Sequence, residues 1–193
     1  MVYKDFGTQK VYLPNKLLYM LFKPSSALKH KMYQIHINSG GEFRVEFRKA
    51  NEEDLPSIVS LLADDELGAQ RERFEEPLPR AYYKAFHAIE SQIGNQVILA
   101  VEDQTVLGCL QLTIIPGLSR QGMKRGQIEG VRVHRHYRGK EIGEKLVKKA
   151  IEIAKSEQCG LVQLTSDKKR DNAHHFYKNL GFLASYEGMK LIL

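Results

Sequence analysis

From position 43 onward apolar and polar residues fall into regular patterns, and each pattern predicts an element. The run FRVEFRK at 43–49 alternates, which predicts a strand. Asn51 is placed to cap a helix, with Asp54 as its third residue and Leu55, Ile58, Val59 and Leu62 on one face. A charged loop at 71–76 and the run PLP at 77–79 lead to a second helix with Tyr82, Phe86, Ile89 and Ile93 as its apolar side. Strands at 96–101 and 106–115 flank the turn EDQT at 102–105 and form a hairpin. A strand at 127–133, a basic segment at 134–140 and a helix at about 141–157 follow. That helix carries Ile142, Leu146, Val147, Ala150, Ile151 and Ala154 as one stripe. Beyond it come a short strand at 161–165 and a helix at 171–180 with Ala173, Phe176, Tyr177 and Leu180 on one side. Gly181 ends that helix, and 182–193 predicts two short strands broken at Glu187 and Gly188. Helices interleaved with strands, without an internal repeat, imply an α/β layered sheet with helices on its faces.

The first 43 residues lack such a period and end in the turn cluster NSGG at 38–41. Charge separates them as well. The chain of 193 residues carries a net charge of +6. Six lysines against Asp5 and Glu42 put +4 of it in residues 1–43, and 44–193 is near balance. The sequence therefore divides into a poorly ordered basic extension, 1–43, and a domain, 44–193, with Met32 as a candidate start. Nucleic-acid binding is not expected, because phosphate contacts need clustered cations on the body. No apolar run approaches the roughly 20 residues that span a bilayer, so no membrane contact is expected and the protein reads as cytoplasmic. Cys109 and Cys159 lie 50 residues apart in apolar surroundings with no CxxC, so they read as buried thiols and no metal is expected.

The chemistry concentrates at 131–143, where a strand runs through a basic, glycine-bearing turn into a helix. Backbone N–H groups and the dipole at a helix start favour an anion, and Arg138 and Lys140 add positive charge there. Gly139 and Gly143 allow close approach to the backbone. Taken alone, the same segment also reads as a basic loop that precedes a helix. It is neither a Walker A loop nor a dinucleotide fingerprint.

The wider context narrows the reading. The run IEGVRV at 128–133 followed by YRGKEIG at 137–143 resembles the acetyl-CoA-binding motif of the GNAT N-acetyltransferase superfamily, Q/R-x-x-G-x-G/A after a strand. AHHFYKNLGF at 173–182 resembles that family's second landmark, A-x-x-x-Y-x-x-x-G-F. The resemblance covers about 43–193 and points to a bacterial-type small-molecule subgroup. It implies a central mixed, mostly antiparallel twisted sheet of about six to seven strands with about four helices on its faces. It also implies direct transfer of an acetyl group from acetyl-CoA, as cosubstrate, to a primary amine of an unidentified acceptor, and it leaves a homodimer open.

By position, the resemblance assigns the pyrophosphate to the backbone of Arg138, Gly139, Lys140, Glu141, Ile142 and Gly143. The pantetheine falls beside Val131, Arg132 and Val133, and the N–H of Val133 becomes the oxyanion donor. Tyr177 matches a tyrosine that protonates the leaving thiolate, and its other reading is a core tyrosine. Glu129 matches a glutamate used as base in several members, where desolvation would raise its pKa. Otherwise it is an edge carboxylate paired with Arg132 or Arg125. Asp64, Asp65, Glu66 and Tyr82 are candidates for the wall that receives a cationic acceptor, or else a solvated helix end and a core ring.

Two departures from the family pattern stand out. Glu141 occupies the place of the motif's middle glycine, where it either swings outward or weakens CoA binding. Arg170 occupies the place where many members have a cofactor-contacting asparagine. The Glu141 departure keeps a second reading alive, a catalytically impaired domain that binds acyl-CoA or regulates.

Overall fold

A computed structural model describes residues 44–64 and 68–192. The expectations for residues 1–43, including Met32 as a start, and for Asp65 and Glu66 lie outside the described residues.

Among the described residues, five strands form one mixed sheet in the order of the chain: β1 (Glu46–Lys49), β2 (Asn95–Glu102), β3 (Thr105–Ile115), β4 (Lys124–Val133) and β5 (Cys159–Leu164). β1 to β4 run antiparallel, and β5 joins β4 in parallel. Among the described residues, four helices longer than two turns complete the layers: α1 (Leu55–Ala63), α2 (Arg80–Ser91), α3 (Ile142–Ser156) and α4 (Asp171–Asn179), and a four-residue helical turn, Ser119–Gly122, lies between β3 and β4. A parallel neighbour needs a crossover, and α3 supplies it between β4 and β5. The β2–β3 hairpin closes through Asp103 and Gln104, both at positive φ, which matches the twist of the strands it joins.

The two faces of the sheet are filled by different helices. On one, Ile98, Ala100, Leu110, Leu112, Ile114 and Ile128 meet Ile142, Leu146, Val147, Ala150 and Ala154 of α3. Gly108 lets this helix lie close, because a Cβ there would stand 2.7 Å from the carbonyl oxygen of Arg132 and 3.0 Å from Leu146. On the other face, Val97, Leu99, Val101 and Cys109 pack against Leu55, Ile58, Val59 and Leu61 of α1 and Phe86 of α2. Each Val, Leu, Ile or Phe among them contributes about 1.5–3 kcal/mol by leaving water.

α1 is anchored at its start. A 3-10 turn, Glu52–Asp54, precedes it, and the Asp54 carboxylate accepts the N–H of Asn51 at 2.9 Å. The same carboxylate takes both ends of the Arg48 guanidinium from β1, at 2.6 and 2.7 Å.

The last segment differs from expectation. The two strands predicted over 182–193 do not form among the described residues, and the sheet has five strands there rather than six or seven. Leu183, Tyr186, Met189, Leu191 and Ile192 are each more than four-fifths exposed. Spacing of apolar residues proposes a strand, but a ladder partner makes one, and this stretch pairs with no strand. Among the described residues, no helix is long and apolar enough to cross a membrane.

Candidate functional site

The site begins where β4 outruns β5. The parallel pairing starts at Lys124 opposite Cys159 and ends at Ile128 opposite Leu164, yet β4 continues to Val133, held by β3 alone. Opposite Leu110, β4 places two residues, Gly130 and Val131, so a bulge re-aims the strand at this point. Gly130 stands at φ +60, a backbone that L side chains rarely adopt. Glu129 to Val133 therefore present a strand edge with no described strand on the β5 side.

At the end of β4 the chain enters the anion-type turn. The N–H of His134 bonds to the Leu107 carbonyl at 2.8 Å, and its ring nitrogen accepts the His136 N–H at 3.3 Å. Burial lowers the His134 pKa, which keeps the ring neutral and able to accept. The 3-10 turn Arg135–Tyr137 follows, then Gly139 at φ +77 and Glu141 at φ +60, before α3 starts. The Lys140 ammonium lies 5.0 Å from the centre of the Tyr137 ring. The first N–H groups of α3 have no intrahelical carbonyl to meet, which is the basis of an anion site.

The loop is braced by an acid from another element. Asp64, at the end of α1, bonds to Arg135 at 2.9 Å and to Arg138 at 3.3 Å, with only 13% of its side chain exposed. Arg138 also donates to the carbonyls of Val133, at 3.1 Å, and Asp64, at 2.9 Å. Arg138 thus shapes the turn, and Asp64 faces these loop cations.

The remaining predicted residues fall as follows. The Ile142 side chain is buried in the core, so only its backbone serves the turn. At Gly143, a Cβ would stand 3.4 Å from Val133 and 3.5 Å from the Phe176 ring, so its smallness eases the meeting of β4, α3 and α4. The Glu141 carboxylate is 70% exposed and points along α3 to Lys145 at 3.7 Å. Val131 and Val133 pack on the core side, and Arg132 lies on the opposite face, where it bonds to the Val131 carbonyl at 3.0 Å. Tyr177 is partly buried between the rings of Phe176 and Phe182, 5.0 and 5.8 Å away. Burial raises its pKa against the opposing charges of Arg170 and Arg132, so these three residues share one electrostatic neighbourhood. Arg170 caps α4, and its carbonyl accepts the N–H of Ala173 at 2.9 Å. Glu129 is exposed, so the desolvation expected of it is absent. Tyr82 stands apart from this group, because its hydroxyl accepts the Arg73 N–H and donates to Glu72, both at 2.9 Å, and so fixes the loop before α2. No group of three His, Cys, Asp or Glu able to hold a metal occurs among the described residues.

The sequence reading missed a row of polar residues beside Glu129. Asn95, Thr113, Gln127 and Gln163 stand in register across β2 to β5, and Gln111 lies opposite Glu129. The visible signal was the polar alternation at 111 and 113, after the apolar start of the same strand.

Comparison with known proteins places this geometry in context. Residues 58–182 match the model of the acetyltransferase (GNAT) family. A transcriptional regulator from Bacillus halodurans C-125 is 48% identical, with a TM-score of 0.76, over 78% of this chain and 100% of that one. An acetyltransferase of Trypanosoma brucei is 30% identical, with a TM-score of 0.63, over 78% of this chain and 100% of that one. Glucosamine-6-phosphate N-acetyltransferase from Arabidopsis thaliana has a TM-score of 0.63 at 22% identity, over 77% and 98% of the two chains, a likeness of fold.

Proposed function

Because the chain belongs to the GNAT acetyltransferase family, we propose that it transfers an acetyl group from acetyl-CoA directly to a primary amine. The observation that carries this reading is the parting of β4 from β5 after Ile128, beside the start of α3. It leaves a strand edge at Val131 to Val133 for the amides of a pantetheine arm, next to N–H groups suited to a pyrophosphate.

In this reading the backbone of Gly139 to Gly143 binds the phosphates, aided by Lys140, while Arg138 holds the turn in shape. The edge at Val131 to Val133 positions the thioester, and such positioning supplies much of the acceleration. Exposed Glu129 takes the proton of the incoming ammonium, directly or through water. Tyr177, whose proton burial holds more tightly, gives it to the departing thiolate. We assign the activity to the cytoplasm by the same family likeness.

The test is calorimetry with acetyl-CoA followed by a thiol-release assay on a panel of amines. Binding and turnover support the reading, and no binding at millimolar acetyl-CoA overturns it. Tyr177→Phe lowers kcat by about 10²–10⁴-fold if its proton is used.

A second reading has its own support. The 48% identical relative carries the description of a transcriptional regulator, and Glu141 adds a carboxylate at the phosphate turn. In that reading the domain binds acyl-CoA without turnover. Saturable binding with no thiol release from any amine favours it.

A further inference from the structure

The α1/α2 face of the sheet changes character along the strands. Val97, Leu99, Val101 and Cys109 are covered by the two helices. The next positions, Asn95 on β2, Thr113 on β3, Gln127 on β4 and Gln163 on β5, place one polar residue per strand in a single register row. Three strand spacings make that row about 14 Å across.

Its hydrogen bonds fall into two groups. Asn95 Oδ1 accepts Thr113 Oγ1 and Gln111 Nε2, both at 3.0 Å, and Asn95 Nδ2 donates to Gln92 at 2.8 Å. Gln163 Nε2 donates to Gln127 Oε1 at 2.7 Å. Asn95 is buried, Thr113 and Gln127 are half-buried, and Gln163 is exposed, so the strip opens toward β5. Amides offer both donors and acceptors.

Glu129 lies two residues after Gln127 on the same strand and the same face, opposite Gln111. Arg125 lies two residues before Gln127, on the other side of the row. Within the row and its neighbour, Val97 to Gln111 to Glu129, Glu129 is the one carboxylate among the described residues. Asp64 is already engaged by Arg135 and Arg138. A polyamine brings several charges that this strip does not answer. A single ammonium on a hydroxyl-rich carbon frame matches it, with the ammonium at Glu129 and the hydroxyls on the amides.

We propose that Gln111, Gln127 and Gln163 form the acceptor-recognition strip, and that it selects a hydroxylated monoamine of the amino-sugar or amino-polyol class. This rests on the acetyl-transfer reading above, because in it Glu129 meets the incoming ammonium and takes its proton. Gln127 and Gln163 are specificity residues and do not touch the thioester.

The test compares glucosamine, galactosamine and serinol with spermidine and n-butylamine as acceptors in the full chain. The hydroxylated amines are expected to lead in kcat/KM by about tenfold or more, the scale of one or two neutral hydrogen bonds. Gln127→Leu and, separately, Gln163→Leu are expected to lower kcat/KM for hydroxylated amines about tenfold relative to n-butylamine, mainly through KM. A lead for spermidine, or an equal fall for every amine in both variants, overturns the proposal. If no amine is acetylated, the acetyl-transfer reading fails on its own, and saturation-transfer NMR with the same amines in the presence of CoA decides the strip. Binding of the hydroxylated amines that both variants weaken upholds it, and absence of binding overturns it.

Discussion

Leu99 and Gln127 lie on the same face of one sheet in opposite surroundings. Leu99 is fully buried beneath α1 and α2, among Val97, Val101, Cys109 and Phe86. Gln127 is half-buried and bonds sideways to Gln163, beyond those helices. The covered half is apolar because nothing there can satisfy a polar group. The open half is polar because solvent or a ligand must meet it. A sheet face that turns polar where its helices stop marks where the molecule meets something else.

The largest contrast between the halves is chemical. Burial pushes the Cys109 thiol up to about 12, against the opposing charge of Arg132. At pH 8 only about one Cys109 in 10⁴ is then thiolate, the reactive form. Cys159, at the start of the edge strand β5, packs at the margin of the α3-side core, and burial raises its thiol pKa too, but it is partly exposed. Iodoacetamide is expected to alkylate Cys159 in the native protein and Cys109 only on unfolding. Native alkylation of both thiols at similar rates would show that the covered half opens readily.

Packing gives the next effect. Leu99→Ala is expected to cost about 2–5 kcal/mol, from lost transfer energy and the cavity left behind. Gln127→Ala is expected to stay within about 1 kcal/mol, because its neighbours remain open to water. Urea denaturation of the two variants measures the difference, and equal losses would break the division.

A smaller effect separates the anchor of the covered half. Burial alone would raise the Asp54 carboxyl, but the Arg48 bonds, the Asn51 N–H and the Arg48 charge outweigh it and hold it below the ordinary carboxylate value. A depressed folded-state pKa contributes stability above the unfolded value of about 3.9, and that stability is lost as pH falls through the folded value. Asp54→Asn should therefore cost about 1–2 kcal/mol at pH 7, the scale of a lost cap. The gap between variant and parent should begin to narrow below about pH 4 and close only below the folded value. A gap that stays constant as pH falls from 7 through the acid range would assign the effect to shape and not to charge.

These contrasts also separate what sequence carries from what it cannot. The stripe of α3 was legible because Leu146, Val147, Ala150 and Ala154 recur at helical spacing, and each is buried. The strand–turn–helix order at 131–143 was legible because its residues are contiguous, whereas the bulge at Gly130 appears only in the pairing. The partners of Asp64 were not legible, because Arg135 and Arg138 lie more than 70 positions away and only the fold brings them together. The polar row escaped notice for a related reason, because its four residues become one feature only through strand register. At 182–193 spacing alone suggested strands, and spacing does not specify a pairing partner.

The smallest effect lies outside both halves, at the turn between β4 and α3. Glu141 holds a left-handed backbone, φ 60 and ψ 4, where a Cβ costs on the order of 1–2 kcal/mol. Glycine relieves that cost but loses the Lys145 pair, an exposed contact of 3.7 Å, and adds unfolded-state entropy. The net expectation for Glu141→Gly is a gain of about 0.5–1 kcal/mol, measured as a higher urea midpoint at unchanged slope. Removing the carboxylate near the phosphate turn should also tighten acetyl-CoA binding on the order of threefold, since a unit charge some 7 Å away in water-like surroundings is worth about 0.6 kcal/mol. Glu141→Gln separates the two causes, because it removes the charge and keeps the Cβ. It should recover the affinity gain without the stability gain. If Glu141→Gly instead leaves the midpoint unchanged, the turn absorbs the strain elsewhere. If Glu141→Gln leaves affinity unchanged, the outward swing toward Lys145 already keeps the carboxylate clear of the phosphates.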